Sequence, residues 1–105
     1  MALPALTAQQ RAEALKRAIA VRVERGEVLT ALQRGTLSLR EILERSGDPV
    51  VGAMRVHRLL TALPGIGEVR AGQLMRELGI PARRRVQGLS GVQRERLQAI
   101  FPDEK

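Results

Sequence analysis

Two stretches of the chain carry residue types and spacings able to do chemistry. The first is Leu63-Pro64-Gly65-Ile66-Gly67. Pro64 cannot continue a helix and biases Leu63 out of the helical region. Gly65 and Gly67 permit positive φ and let another backbone come close, and Ile66 gives the turn an apolar anchor. A helix starting at about Glu68 would point its free N–H groups outward. Orphan donors and the positive end of the helix dipole then coincide, which is anion-binding chemistry. A nucleic-acid phosphate is the natural occupant, and Arg70, one turn into the helix, can reach it. The second stretch is Arg83-Arg84-Arg85, the densest charge run in the chain. Arginine forks match phosphates and the negative potential of a narrow minor groove. The bland readings are a tight turn between packed helices and a solvated linker.

Catalysis finds little to use. There is one His and no Cys, Tyr or Trp. His57 lies between Arg55 and Arg58 with no paired carboxylate or thiol nearby, which makes a poor general base. No His, Asp and Glu residues fall at metal-ligand spacing. No phosphate-binding P-loop or nucleophile-elbow pattern occurs. The expectation is a non-enzyme with no cofactor, no metal and no small-molecule substrate.

Composition points the same way. The 105 residues carry a formal charge of +7. Sixteen of the eighteen basic residues are Arg. A coding bias can set that ratio but not the net charge, and a small basic domain suggests a polyanionic partner. The charge is uneven: residues 1–49 net +2, residues 50–97 net +6 and the last eight −1. Phe101 is the only aromatic residue, so bases cannot stack on rings as in most single-strand binders. That favours duplex. No cysteine, no visible signal peptide and no apolar run of spanning length lead to the expectation of a soluble cytoplasmic protein without membrane contact.

The elements that must position these residues are helical, since no alternating strand pattern appears. Thr7 to Gln10 fits a capping box opening a long helix from Ala8 to about Gln33, with Leu6 as a staple. Ala12, Leu15, Ile19 and Val23 follow helical spacing as its apolar face, and Gly26 interrupts it. Arg11, Lys16, Arg17, Arg22 and Arg25 lie opposite; the face reads as solvated, with pairs such as Glu13–Lys16 and Glu13–Arg17, and DNA contact is its alternative. A second capping box, Ser38 to Glu41, opens a short helix to about Arg45. Asp48-Pro49 reads as the start of another over 49–54. Val56–Leu63 and Val69–Leu78 are the arms of the hairpin, with Ala71 and Gly72 allowing close approach and Gly79 ending the second arm. After Arg83–Arg85, a third capping box, Ser90 to Gln93, opens a last helix to about Ile100, with Leu97 and Ile100 inward. Asp103–Lys105 reads as a frayed tail. The expectation is all-α: one domain over 1–105, with a protruding N-terminal helix (8–34) and a helical core (38–101).

The hairpin is similar to the helix–hairpin–helix and helix–two-turns–helix nucleic-acid-binding motifs. The order of features goes further and resembles the actinobacterial integration host factor family. The resemblance rests on the opening Met1-Ala2-Leu3-Pro4, Leu6-Thr7 and Gln10-Arg11-Ala12. It continues through Val51-Gly52, Met54-Arg55-Val56, Leu59-Leu60, Leu63 to Gly67, Val69-Arg70-Ala71, Met75, Leu78-Gly79-Ile80, Arg84-Arg85-Val86 and Gly88-Leu89. It implies a monomer with a long N-terminal helix and a compact helix–two-turns–helix domain. It implies a nucleoid-associated binder of double-stranded DNA, with little sequence specificity, that bends duplex and influences supercoiling, recombination and compaction. Two positions depart from the family. Glu68 stands where a basic residue usually follows the hairpin, and Gln87 replaces the last Arg of an Arg-Arg-x-Arg element. On this reading Pro64, Gly65, Ile66, Gly67 and Arg70 hold one backbone segment, Arg83, Arg84 and Arg85 grip a second along the minor groove, and Arg55 and Arg58 add phosphate contacts. The alternatives are a structured RNA bound through the same hairpin, as in a small-subunit ribosomal protein family, and a protein-interaction module built on the first helix. The acidic C-terminus and internal basic run argue against the former.

Overall fold

The computed structural model describes residues 6–102. Helix α1 spans Ala8–Arg34, α2 Leu39–Glu44, α3 Val56–Ala62, α4 Gly67–Glu77 and α5 Gly91–Ile100, with a 3₁₀ turn at Val86–Gly88. Residues 103–105, and with them the expected frayed tail, lie outside the described part.

Local signals start the helices where the sequence places them. Thr7, Ser38 and Ser90 each cap a helix in a complete capping box. Each such cap stabilises its helix by about 1 kcal/mol. Leu6 does not staple α1: it is exposed, and its carbonyl accepts a 3.0 Å bond from the Arg11 guanidinium. Gly35 and Gly79 take left-handed φ of 77° and 68° just past α1 and α4.

Packing decides the rest. Leu32 of α1, Ile42 of α2, Leu59 and Leu60 of α3, Ala71 and Met75 of α4 and Leu97 of α5 are buried in one apolar cluster. Removing such a leucine costs about 2–5 kcal/mol. Helix α3 packs mainly on α4, α1 on α3, and α2 on α5. Helix α1 joins this core only through its last two turns, where Val28 and Leu32 are buried. Its earlier turns project, and the molecule measures 49 × 31 × 24 Å.

Several expected inward faces point out instead. Leu15, Ile19 and Val23 are exposed. Nine residues are two and a half turns, so Ile19 stands opposite Val28, the side that meets the core. Val69, an apolar residue of the second hairpin arm, is 77% exposed. The register of α4 is set by Ala71, Leu74 and Met75, and a residue two places before Ala71 falls on the far side. Ile100 is exposed while Phe101, half-buried, packs on the core in its place. Gly72 is not needed for the close approach of the arms, because a Cβ there would meet only the Arg76 Nη1 at 3.7 Å. The buried Ala71 makes that approach. The Glu13 pairs with Lys16 and Arg17 are not among the ion pairs of the described residues.

Residues 49–54 form turns rather than a helix. Asp48 does cap them, accepting from the N–H of Val50 at 2.8 Å and of Val51 at 3.1 Å. One helical turn follows, with Gly52 N–H on the Asp48 carbonyl at 2.8 Å. The ladder does not continue: Met54 N–H turns to the Val51 carbonyl at 3.1 Å, and the carbonyls of Gly52 and Met54, which a longer helix would offer to Val56 and Arg58, are taken from elsewhere. Gln87 N–H donates to Gly52 O and Val86 N–H to Met54 O, both at 3.0 Å, while Val56 N–H donates to Arg84 O at 2.9 Å. These bonds make a single antiparallel bridge between Arg55 and Arg85. The connection after α4 is thereby strapped to the start of α3.

Candidate nucleic-acid interface

The hairpin has the geometry its sequence demands. Helix α3 ends at Ala62, and Leu63 is extended before Pro64. Ile66 N–H closes the turn on the Leu63 carbonyl at 3.2 Å. Gly65 and Gly67 adopt φ of 78° and 70°, which side-chain-bearing residues rarely do. Half-buried Ile66 packs against the core and fixes the turn. Helix α4 then begins at Gly67 with no side chain capping it. Its first N–H groups are orphan donors at the positive end of the dipole. An open groove of about 730 Å³ lies over the turn, lined by Pro64, Gly65, Ile66 and Gly67, by Arg58 of α3, and by Gly26, Leu29, Thr30 and Gln33 of α1.

The Arg55–Arg85 bridge does for the basic run what the sequence alone does not reveal. It holds Arg85 beside Arg55 at the N-terminal end of α3, while the hairpin occupies the other end. A second groove of about 590 Å³ opens there, lined by Arg55, Arg58 and Arg85 with Ala53 and Met54. Its opposite wall is α1, with Arg22, Arg25, Gly26 and Leu29. Arg22 and Arg25 belong to the α1 face that reads from sequence as solvated, with DNA contact as the alternative. Their i, i+3 spacing, continued by Leu29, puts them on one helix face, but nothing local says that α3 lies across from it.

The three residues of the basic run differ in position. Arg85 lines the second groove, and Arg83 is exposed on the turn before it. Arg84 is half-buried and its Nη1 donates to the Gly88 carbonyl at 2.7 Å, so much of its donor capacity closes the turn. Arg70 is exposed on α4 outside both grooves, and Glu68 is exposed in the first turn. His57 is half-buried on α3.

Among the described residues the ion pairs are Arg40–Glu44, Arg45–Glu24 and Arg45–Asp48. None involves an arginine of either groove, nor Arg70 or Arg83. Also among the described residues, no three His, Asp or Glu side chains converge as metal ligands, and no helix is long and apolar enough to cross a membrane.

The chain is similar to known proteins over most of its length. Residues 32–101 match the S13-like H2TH domain family. The chain is 47% identical over 102 residues to the integration host factor of Streptomyces coelicolor, covering 96% of this chain and 95% of that protein. It is 46% identical to the integration host factors of Mycolicibacterium smegmatis and Mycobacterium tuberculosis, covering 96% of this chain and 97% of each. The structure of sIHF bound to an 8 bp palindromic DNA superposes with a TM-score of 0.79 at 42% identity, covering 82% of this chain and 98% of that one.

Proposed function

The chain belongs to the integration host factor family, and from that premise we propose that it is an architectural protein that binds double-stranded DNA in the nucleoid. The observation that supports this most is the pairing of two features along α3. At one end is a positive-φ glycine turn opening α4 with uncapped N–H groups. At the other is a set of arginines with no carboxylate partner among the described residues.

Both features address phosphate rather than base edges, which suits binding of low sequence specificity. The amides of Gly65 and Gly67 hold one phosphate, with Pro64 shaping the turn, the Ile66 N–H closing it on the Leu63 carbonyl, and Arg70 adding charge from α4 outside the groove. Arg55, Arg58 and Arg85 take phosphates further on, with Arg83 and the free part of Arg84 entering the minor groove. Seven residues of α3 rise about 10 Å, so the two grips address phosphates a few base pairs apart. Two separated grips on one duplex bend it between them, and bending supports compaction, supercoiling control or recombination. Residues 1–105 act as one domain and one copy suffices. No catalytic step is assigned to any side chain.

The test is a fluorescence anisotropy titration of a short duplex, a single strand and a folded RNA across salt concentrations, with a doubly labelled duplex to read bending. The duplex is expected to bind tightest. Its log affinity should fall linearly with log salt at about one unit per phosphate contact. A flat salt response overturns the reading. A preference for the folded RNA by about tenfold, roughly 1.4 kcal/mol, replaces DNA with structured RNA.

A further inference from the structure

We infer that α1 forms the second wall of the phosphate site, with Arg22 and Arg25 as contacts, so that the hairpin and the basic run are ends of one continuous track. This rests on the DNA-binding reading above and narrows the basic face of α1 to two residues, Arg22 and Arg25, that border the groove. The two grooves are not separate. Gly26, Leu29 and Arg58 line both. A strand entering at the hairpin amides passes Arg58 and emerges between Arg22 and Arg25 on one side and Arg55 and Arg85 on the other.

Charge is sorted across α1 in the way such a track requires. No acidic residue of α1 lines either groove among the described residues: Glu24 reaches Arg45 at 3.9 Å, and Glu27 lines a third groove that adjoins the hairpin groove at Gly26 and Thr30. The charged residues that α1 contributes to the two grooves are Arg22 and Arg25, both cations. Gly26 fits the same picture. A glycine inside a helix weakens it, and here no packing asks for one, because a Cβ would meet nothing within 4 Å. The missing side chain leaves room where the two grooves join.

Five guanidinium groups around one groove, with no carboxylate partner among the described residues, repel each other. The free protein therefore bears a strain that phosphates relieve, and salt screens it over about 10 Å at 0.1 M. This separates the inference from a solvated helix face, whose neutralisation changes neither folding nor binding.

The test compares the full chain with an Arg22→Gln/Arg25→Gln variant and an Arg55→Gln/Arg85→Gln variant. Duplex affinity is read across a salt series, and Tm of the free proteins at low and high salt. For the α1 pair we expect affinity lower by about tenfold at low salt and a salt slope shallower by about two units. We also expect a Tm above that of the parent at low salt, with the advantage vanishing at high salt. If the α1 pair keeps the parent's affinity and slope while the Arg55/Arg85 pair loses both, α1 is a bystander. The inference then falls with the DNA-binding reading intact. If the parent itself does not bind duplex, that reading fails and takes the inference with it.

Discussion

At the scale of single residues, Glu68 is the most instructive departure. Its carboxylate is exposed in the first turn of α4, beside the N–H groups that would receive a phosphate. A negative charge there stabilises the helix through the dipole by about 0.3–1 kcal/mol but repels the ligand. Glu68→Lys should therefore tighten duplex binding and steepen the salt slope by about one unit, while lowering Tm slightly. An anisotropy titration beside a thermal melt reads both. Asp48 has a purely structural task. The N–H groups of Val51 and Val50 donate to its carboxylate and Arg45 lies nearby, holding its pKa below the ordinary 3.8. A carboxyl with a depressed folded pKa contributes stability that is present above its unfolded pKa and lost as pH falls through the folded value. The melting temperature should hold its level down to about pH 4 and fall below it. Asp48→Asn should be less stable at neutral pH and show a flatter acid limb in a pH series of melts.

At the scale of elements, what the sequence discloses divides by the range of the interaction that fixes it. The three capping boxes, the arrest of α3 before Pro64 and the left-handed glycines of the hairpin depend on a few consecutive residues and could be read directly. Residues 49–54 could not. Asp48 starts a helical turn, but the carbonyls of Gly52 and Met54 are committed to Gln87 and Val86, more than thirty positions away. The α1 stripe fails for a related reason. Helical spacing shows that Leu15, Ile19 and Val23 share a side, not that the core lies on the other one. The candidate site divides in the same manner: the hairpin was legible, whereas Arg22 and Arg25 became part of a groove only through the packing of α1 on α3. The contrast has a measurable consequence. Ile19→Ala should change stability by less than about 0.5 kcal/mol, as an exposed position. Leu32→Ala, at 0% exposure, should cost about 2–5 kcal/mol. Denaturant melts of the two variants read the difference.

At the scale of the whole molecule, the same asymmetry makes α1 two things in one helix. From Val28 onward it belongs to the core and can open only when the core opens. Before that, it has Arg45 near Glu24 as an exposed ion pair, worth little in water, and few apolar contacts. Twenty-seven residues are long enough to hold some helix unaided, yet an isolated helix remains marginal. Local opening should therefore grade along α1 rather than occur at one free energy. In the free protein, amides between about Ala12 and Arg22 should exchange hydrogen rapidly, while those from Leu29 to Arg34 exchange at rates approaching global unfolding. Saturating duplex should slow exchange most between Arg22 and Gly26, the part of α1 that borders the groove yet lies before the buried turns. The projecting turns further toward the N-terminus should change little. Protection confined to α3, α4 and the hairpin would make the core alone the binding unit. Protection reaching Arg22 means that DNA completes the docking of α1, so the nucleic acid finishes a packing that the apolar core leaves partial.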